Sequence, residues 1–559
     1  MMQEATIGAD RPSTYFWQDA ALLAMQAISH RVDDDRGGQP YFWLNLKADP
    51  PRLEHQSWDY CDMSGRWVDG LLLGRLMTGA QDYAAVEQTL RTFLLARANP
   101  RDGLFYNADA PEFGSRGGAD LFCQGRVLLG LLSWWLECGE SRIENYIRRL
   151  IGGLAQAALW DEDCAYYPAT LRGEGSWLNV PHDAGALDPK VAPALGAPGY
   201  WASIINGVMA YHRYSGSLEA LHLAGGLARY YMHPGGAVAA DGSYRGHTHS
   251  GGVLPTTAGI LRFGLATHDE GMVRWAQRVF EYTRRNAADF GWLPDGVGFP
   301  DDYMWSQFCE TCALSDYLEL AILLSEAGLG DYWDDVERCA RNQLLENQFR
   351  AMETVLPPGT DARVIAAANG GFACGARPNT PLGWEDGLEG CCLGSGLHAL
   401  YLIWNHALLE RAGTVFINLP ISRSSHTLEV VSYEPYRGEL RLLVRQACAV
   451  DVRLSRTVAA TSTQVTLNGR PIQDAVSGGH CRLPGLQAGD VALLRYPLAE
   501  RREAYTLAGR RYTASWRGQT VTRLEPADDR CPSYQRADLE GQPPVASRLF
   551  APSASQLPW

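Results

Sequence analysis

The chain has 559 residues, 46% of them hydrophobic and 20% charged, and these near-average proportions exclude a wholly disordered, collagen-like or coiled-coil protein. A formal net charge of −14 and a pI near 5.4 set the surface against phosphate backbones and anionic headgroups, so nucleic acid and membrane are excluded as main partners. The length suits a large core and up to about four domains.

The opening segment, MMQEATIGADRPSTYFWQDA, lacks the basic-then-apolar pattern of a secretory leader. The most apolar run, Val127 to Leu136, is interrupted by Gly130 and Ser133 and is too short to span a bilayer. The expectation is a cytoplasmic protein whose 13 cysteines are reduced thiols. Up to about residue 411, apolar residues recur three and four apart. This spacing predicts helices over 15–31, 55–78, 82–97, 120–138, 143–158, 198–215, 217–232, 252–267, 270–286, 309–327, 331–348 and 391–411. Short breaks at Gly79, Gly139, Gly216, His268 and Gly330 separate many of them. Glycine ends one helix and the polar residue that follows caps the next. Helical hairpins that share a core but have long, unequal loops fit an (α/α)6 barrel better than a solenoid.

After about residue 412 the period becomes two. The segments GTVFINLPI, HTLEVVSY, GELRLLVR, VDVRLS, STQVTLNGRPI and DVALLRYP read as strands, with Asn468-Gly469 as a hairpin turn. The fold class is therefore mainly α with a β domain, an (α/α)6 barrel followed by an antiparallel β-sandwich. The expected boundaries are 1–411 for the barrel, 412–520 for the sandwich and 521–559 for an irregular tail rich in Pro, Ser and Arg. The β-region could also carry a homodimer interface. The chain's 17 Trp and 25 Tyr suit a core, and they also suit a cleft that stacks rings on sugars.

Cysteine carries the strongest chemical signal. Cys309-Glu310-Thr311-Cys312 opens one helical segment and Cys391-Cys392 opens another, each after a Gly-rich loop. Adjacent cysteines rarely bond each other, because disulfide geometry resists so small a ring. Two such pairs can instead complete a tetrahedral metal site, either Cys309, Cys312, Cys391 and Cys392 or three cysteines with Glu310. The alternative is four small buried apolar side chains.

Three stretches, FCETCALSDYLELAILL, Gly330 to Val336 and GCCLGSGLHALYLIW, resemble the glycoside hydrolase family 127 superfamily, whose best-known activity is β-L-arabinofuranosidase. The resemblance runs from Trp58 to Tyr534-Gln535-Arg536 and is that of a divergent branch. It implies an (α/α)6 barrel with β-sandwich domains. It also implies zinc held by Glu310, Cys312, Cys391 and Cys392, with Cys391 both nucleophile and the most loosely held ligand. The expected reaction is retaining exo-glycosidase chemistry on a terminal sugar, with Asp295 the best positional match to the family's general acid and Asp301 and Asp302 nearby alternatives. His247 matches a substrate-binding histidine. His249, two residues on, is a further candidate for the sugar; as a His-X-His pair the two could also bind metal, but no third ligand is evident in the sequence. Arg126 stands where the arabinofuranosidases have histidine, which puts the preference for L-arabinofuranose in question; it could meet a carboxylate or a ring hydroxyl, or form a salt bridge inside the barrel. Trp58, with Asp59 and Tyr60, is expected to line the cleft or to pack.

Two other readings keep the fold. Barrels of this kind also carry uronic-acid lyases and unsaturated glucuronyl hydrolases, which need no Cys391. A non-catalytic carbohydrate-binding protein would use the metal as a staple.

Overall fold

The computed structural model describes residues 17–110, 115–167, 203–232, 237–245, 249–300, 303–383 and 387–536, together with Leu539 and Leu557. Its helices are α1 (Trp17–Ser29), α2 (Cys61–Thr78), α3 (Ala84–Leu95), α4 (Leu121–Cys138), α5 (Ser141–Ala157), α6 (Ile204–Ser215), α7 (Leu218–Met232), α8 (Ser250–Thr267), α9 (Glu270–Arg285), α10 (Thr311–Glu326), α11 (Trp333–Cys339), α12 (Ala362–Ala368) and α13 (Gly390–Ala407).

Six of these form a closed inner ring: α2 packs on α4, α4 on α6, α6 on α8, α8 on α10, α10 on α13, and α13 on α2. Outside it, α1 and α3 lie on α2, α5 on α4, α7 on α6, α9 on α8 and α11 on α10. This is the (α/α)6 barrel that the helical spacing predicts. The sequence distinguishes the two layers. Outer helix α9 buries only Met272, Trp275, Ala276, Val279, Phe280 and Thr283, a single stripe at helical spacing. Inner helix α13 is buried nearly all round, because it has neighbours on every side. The inner helices run close together. A Cβ on Gly65 of α2 would lie 2.8 Å from the Arg126 carbonyl of α4, so only glycine fits that crossing. The expected stops hold too: Gly139 ends α4 in the left-handed region at φ 67°, its N–H bonding back to Trp135.

The differences from the sequence reading are local. The segment expected as helix 331–348 is a short helix, α11, followed by a π-turn at Ala340–Leu344. There the Asn342 side chain donates to the Gln519 carbonyl at 2.9 Å and accepts from the Val521 N–H at 2.8 Å, so a distant strand competes for this stretch. The last barrel helix stops at Ala407, and Leu408–Arg411 is already a strand. Helix α12 was not expected; its seven residues are too few to show a period. Residues 198–202 of the expected sixth helix lie outside the described residues.

The sandwich has two sheets. One joins strands Leu408–Arg411, Thr414–Ile417, Cys448–Arg453, His480–Leu486 and Val476–Ser477 in that order. The other joins Arg423–Ser424, Leu428–Ser432, Glu439–Val444, Val491–Arg495, Gln464–Leu467 and Arg470–Pro471. The expectation of an all-antiparallel sandwich is corrected at one pair. Thr414–Ile417 and Cys448–Arg453 run parallel, because the chain visits the other sheet between them. Asn468 and Gly469 make the expected hairpin turn, with φ values of 51° and 79°.

A separate meander, Glu500–Leu507, Arg510–Arg517 and Thr520–Glu525, carries Tyr512, Ala514, Trp516, Val521 and Leu524 into the same core as the barrel helices. The sandwich has a core of its own. Strand Thr520–Glu525 thus occupies the start of the region expected to be irregular. Beyond it, buried Arg536 donates to Glu346 Oε1 at 2.9 Å and to the carbonyls of Val521 and Arg341, each at 2.9 Å. Among the described residues, no helix is long and apolar enough to cross a membrane.

Candidate active site

Three inner helices bring their N-terminal ends to one place. Glu310 is the residue before α10 and Cys312 lies in its first turn. Glu389 precedes α13, with Cys391 and Cys392 in its first turn. His249 precedes α8. Helix N-termini carry partial positive charge and unpaired N–H groups, and they favour thiolates and carboxylates.

The loops before these helices are tied down by the barrel. Strand Trp43–Asn45 pairs with Arg52–Glu54 and with Gly387–Glu389. The Gly390 N–H donates to the Phe42 carbonyl at 2.7 Å, and the Trp67 indole donates to the Gly390 carbonyl at 2.9 Å. Together these bonds fix the entry of the Cys-Cys pair. Before α10, Cys309 and Ala376 exchange backbone bonds at 2.8 and 2.9 Å. The Thr311 hydroxyl donates to the Ala373 carbonyl at 2.7 Å and accepts from Asn347 at 3.1 Å. The threonine of the Glu-Thr-Cys motif is thus a structural residue.

Glu310, Cys312, Cys391 and Cys392 each present one ligand atom, and all four atoms lie within 4.8 Å of one another. Cys312 Sγ is 3.7 Å from Cys392 Sγ, Cys391 Sγ is 3.9 Å from Cys392 Sγ, and Cys392 Sγ is 3.7 Å from Glu310 Oε1. A tetrahedral ion with metal–sulfur bonds of ~2.3 Å would set its sulfurs ~3.8 Å apart. Three of the separations between these donors therefore match the edges of a tetrahedron that could hold a metal. Cys309 is fully buried and belongs to no such group, so the four-cysteine alternative is not what the structure assembles.

A second group adjoins the first through Glu310. His249 Nε2 is 2.8 Å from Glu310 Oε2 and 3.0 Å from Asp295 Oδ2. Asp295 is only 1% exposed, and the Ser250 hydroxyl holds its carbonyl at 2.6 Å. Burial pushes the Asp295 carboxyl up from its usual range, against the pull of His249. Burial disfavours the charge on His249, but the carboxylates of Asp295 and Glu310 override it and push the imidazole up to about 10. Burial likewise opposes ionisation of Cys312. Hydrogen bonds from Cys391 and Cys392 and the Arg66 guanidinium outweigh it and hold that thiol well below its ordinary range.

The remaining candidates are placed less uniformly. Trp58 is half-buried and meets Phe122 edge-on at 6.4 Å. Asp59 is buried in the loop before α2, not in a cleft: it accepts from the Phe42 N–H and Gln39, each at 2.8 Å, and meets His55 at 2.7 Å. Tyr60 is buried and stacks on Phe93. Arg126 is buried and forms an ion pair with Asp316 at 3.3 Å. Both line a cavity of about 20 Å³, room for about one water, together with Arg66, Ser395 and His398. His247, Asp301 and Asp302 lie outside the described residues.

The structure adds two groups that motif reading missed. The Cys391 thiol donates to Glu389 Oε2 at 3.3 Å, and burial pushes Glu389 up to about 7. Arg66 Nη1 is 3.8 Å from Cys312 Sγ. An acid just before a helix-opening Gly-Cys-Cys was a usable signal for Glu389. For Arg66, 246 residues from Cys312 in the chain, there was none.

No protein-family model matches the sequence, and no curated protein matches it. Solved structures do. A GH127 β-L-arabinofuranosidase of Geobacillus stearothermophilus T6 is similar with a TM-score of 0.59 at 15% identity, over 90% of this chain and 80% of that one. A second GH127 β-arabinofuranosidase gives a TM-score of 0.61 at 14% identity, over 91% and 83%. The fold is that of the GH127 enzymes. On that GH127 fold, the Cys/Glu group of this chain sits at the joined N-termini of α10 and α13.

Proposed function

We propose that this chain is a zinc-dependent retaining exo-glycosidase of the GH127 type, with Cys391 as nucleophile and a terminal β-L-arabinofuranosyl group as the default substrate. The observation that carries the reading is the convergence of three sulfurs and one carboxylate, at tetrahedral spacing, where two inner-helix N-termini meet. The donor set of Cys312, Cys391, Cys392 and Glu310 suits zinc, a borderline-soft ion that takes thiolate and carboxylate ligands. When bound, zinc would keep these thiols deprotonated near neutral pH.

The chain's own residues then have distinct tasks. The Cys391 sulfur attacks the anomeric carbon, and the bond from that carbon to the leaving oxygen breaks. Asp295, whose carboxyl burial pushes up from its usual range, gives its proton to that oxygen. In the second half, the Asp295 carboxylate takes a proton from water. The water oxygen attacks the anomeric carbon, the carbon–sulfur bond breaks, and the Cys391 thiolate returns. Two displacements at one carbon give net retention. His249, between Asp295 and Glu310, holds both carboxyl groups in place. Trp58, Arg126, His247 and His249 are the candidates for sugar contact.

The test is elemental analysis of protein purified under reducing conditions, followed by turnover of 4-nitrophenyl β-L-arabinofuranoside. About one zinc per chain and turnover abolished in Cys391→Ala are expected. Zinc with no turnover across aryl furanosides and pyranosides would favour the structural staple. Full activity in Cys391→Ala would favour the lyase and glucuronyl hydrolase chemistries.

A further inference from the structure

The charges around the four ligands are unevenly placed. Arg66 of α2 is a buried guanidinium, 6% exposed. Its Nε donates to Asp62 Oδ1 at 2.9 Å, and its Nη1 donates to the Ser395 hydroxyl at 2.6 Å and faces Cys312 Sγ at 3.8 Å. These bonds tie it to its own helix, to α13 and to the first turn of α10 at once. Beside Cys391 stands a carboxyl group instead, with its thiol donating to Glu389 Oε2 at 3.3 Å. A cation beside a thiolate stabilises it and an anion beside one destabilises it. A dication held by three thiolates and a carboxylate keeps two excess negative charges, which are costly to bury. Arg66 offsets one of them, and Cys312 is the sulfur it lies against, at 3.8 Å.

We propose that Arg66 is a positioning residue of the metal centre: it anchors Cys312 as the permanent sulfur ligand, and the Glu389 side of the centre leaves Cys391 as the sulfur free to be released toward carbon. The proposal rests on the zinc reading above. It gives Cys312 of α10 and Cys391 of α13 different tasks, for a reason that no motif contains. Outer groups that hold metal ligands are worth 10–100-fold in metal affinity in other sites.

The experiment compares the wild-type chain with Arg66→Gln, Arg66→Lys and Ser395→Ala, all loaded with zinc. Zinc retention is measured against a competing chelator. Order of alkylation by iodoacetamide is mapped by peptide mass, and the thiolate-to-metal absorption is recorded after substitution with cobalt(II). In the wild type, Cys391 is alkylated before Cys312. Arg66→Gln should release zinc about 10–100-fold more readily. It should also lose thiolate-to-cobalt absorption and expose Cys312 to alkylation. Arg66→Lys, which keeps the charge, should recover most of the retention, and Ser395→Ala should show a smaller loss in the same direction. Ser395→Ala keeps the charge in place and carries the test if Arg66→Gln does not fold. Alkylation of Cys312 first in the wild type, or unchanged zinc retention in a folded Arg66→Gln, overturns the proposal. So does Arg66→Lys as weak as Arg66→Gln, which would make shape rather than charge the cause. A wild-type chain that binds no zinc overturns the zinc reading itself, a result that differs from every one of these.

Discussion

Asp295 shows how one buried side chain acquires a chemical task. Asp295 is 1% exposed, burial pushes its carboxyl up from the usual range, and His249 Nε2 lies 3.0 Å from its Oδ2. If it protonates the leaving oxygen, Asp295→Asn should lower kcat by about 10²–10⁴-fold on a poor leaving group. The loss should shrink on a 2,4-dinitrophenyl glycoside, whose oxygen leaves without a proton. Steady-state kinetics on the two substrates checks this, and an equal loss on both would remove Asp295 from the role. Asp316 gives a second residue-scale prediction, at the barrel's centre. Burial raises it, the neighbouring Glu319 adds to this and Arg126 opposes it, leaving its pKa at about 6 against an ordinary 3.8. A raised carboxyl favours the fold while protonated. Its contribution is fully present below about pH 4 and is lost as pH rises through about 6, a span worth about 3 kcal/mol. Urea midpoints between pH 4 and 7 should therefore fall more in the wild type than in Asp316→Asn, where that titration is absent.

At the scale of elements, the close crossing of α2 and α4 decides how tightly the inner ring closes. Gly65→Ala would put a methyl 2.8 Å from the Arg126 carbonyl. Relief of that clash requires a shift of one inner helix and should cost about 1–3 kcal/mol. A lower melting temperature, together with weaker zinc retention, is expected, since α2 also carries Arg66 and supports α13 through Trp67. Helix existence was legible because outer helices such as α9 show a clean apolar stripe and because glycines such as Gly139 stop the inner ones. The end of α13 was not legible. Leu408 to Arg411 continues an apolar pattern that suits either state, and pairing with Thr414–Ile417 decides for the strand. The short strands Trp43–Asn45 and Gly387–Glu389 were missed for a related reason. Three residues show no period, yet their pairing is what aims the Cys-Cys turn.

Over the whole molecule, the C-terminal meander is part of the barrel's core. Arg536, with side-chain exposure of 4%, lies 2.7 Å from Glu346 and bonds the backbone of both Val521 and Arg341. Arg536→Ala leaves Glu346 without that partner and should cost about 3–5 kcal/mol. Urea unfolding and faster proteolysis after residue 500 would measure it; an unchanged midpoint would mean that the meander is held by its apolar contacts alone. What the sequence by itself determined is the set of twelve main helices, the switch to strands and the two cysteine motifs from which two alternative ligand sets could be drawn, because period, glycine stops and motif spacing are local properties of the chain. The tertiary structure alone decided that Cys309 stands apart, that Asp59 serves a loop, that Arg126 pairs with Asp316, and that Arg66 and Glu389 flank the sulfurs. Each depends on which residues from distant segments share a desolvated space, and there the burial of charge, not the local pattern, sets what a side chain can do.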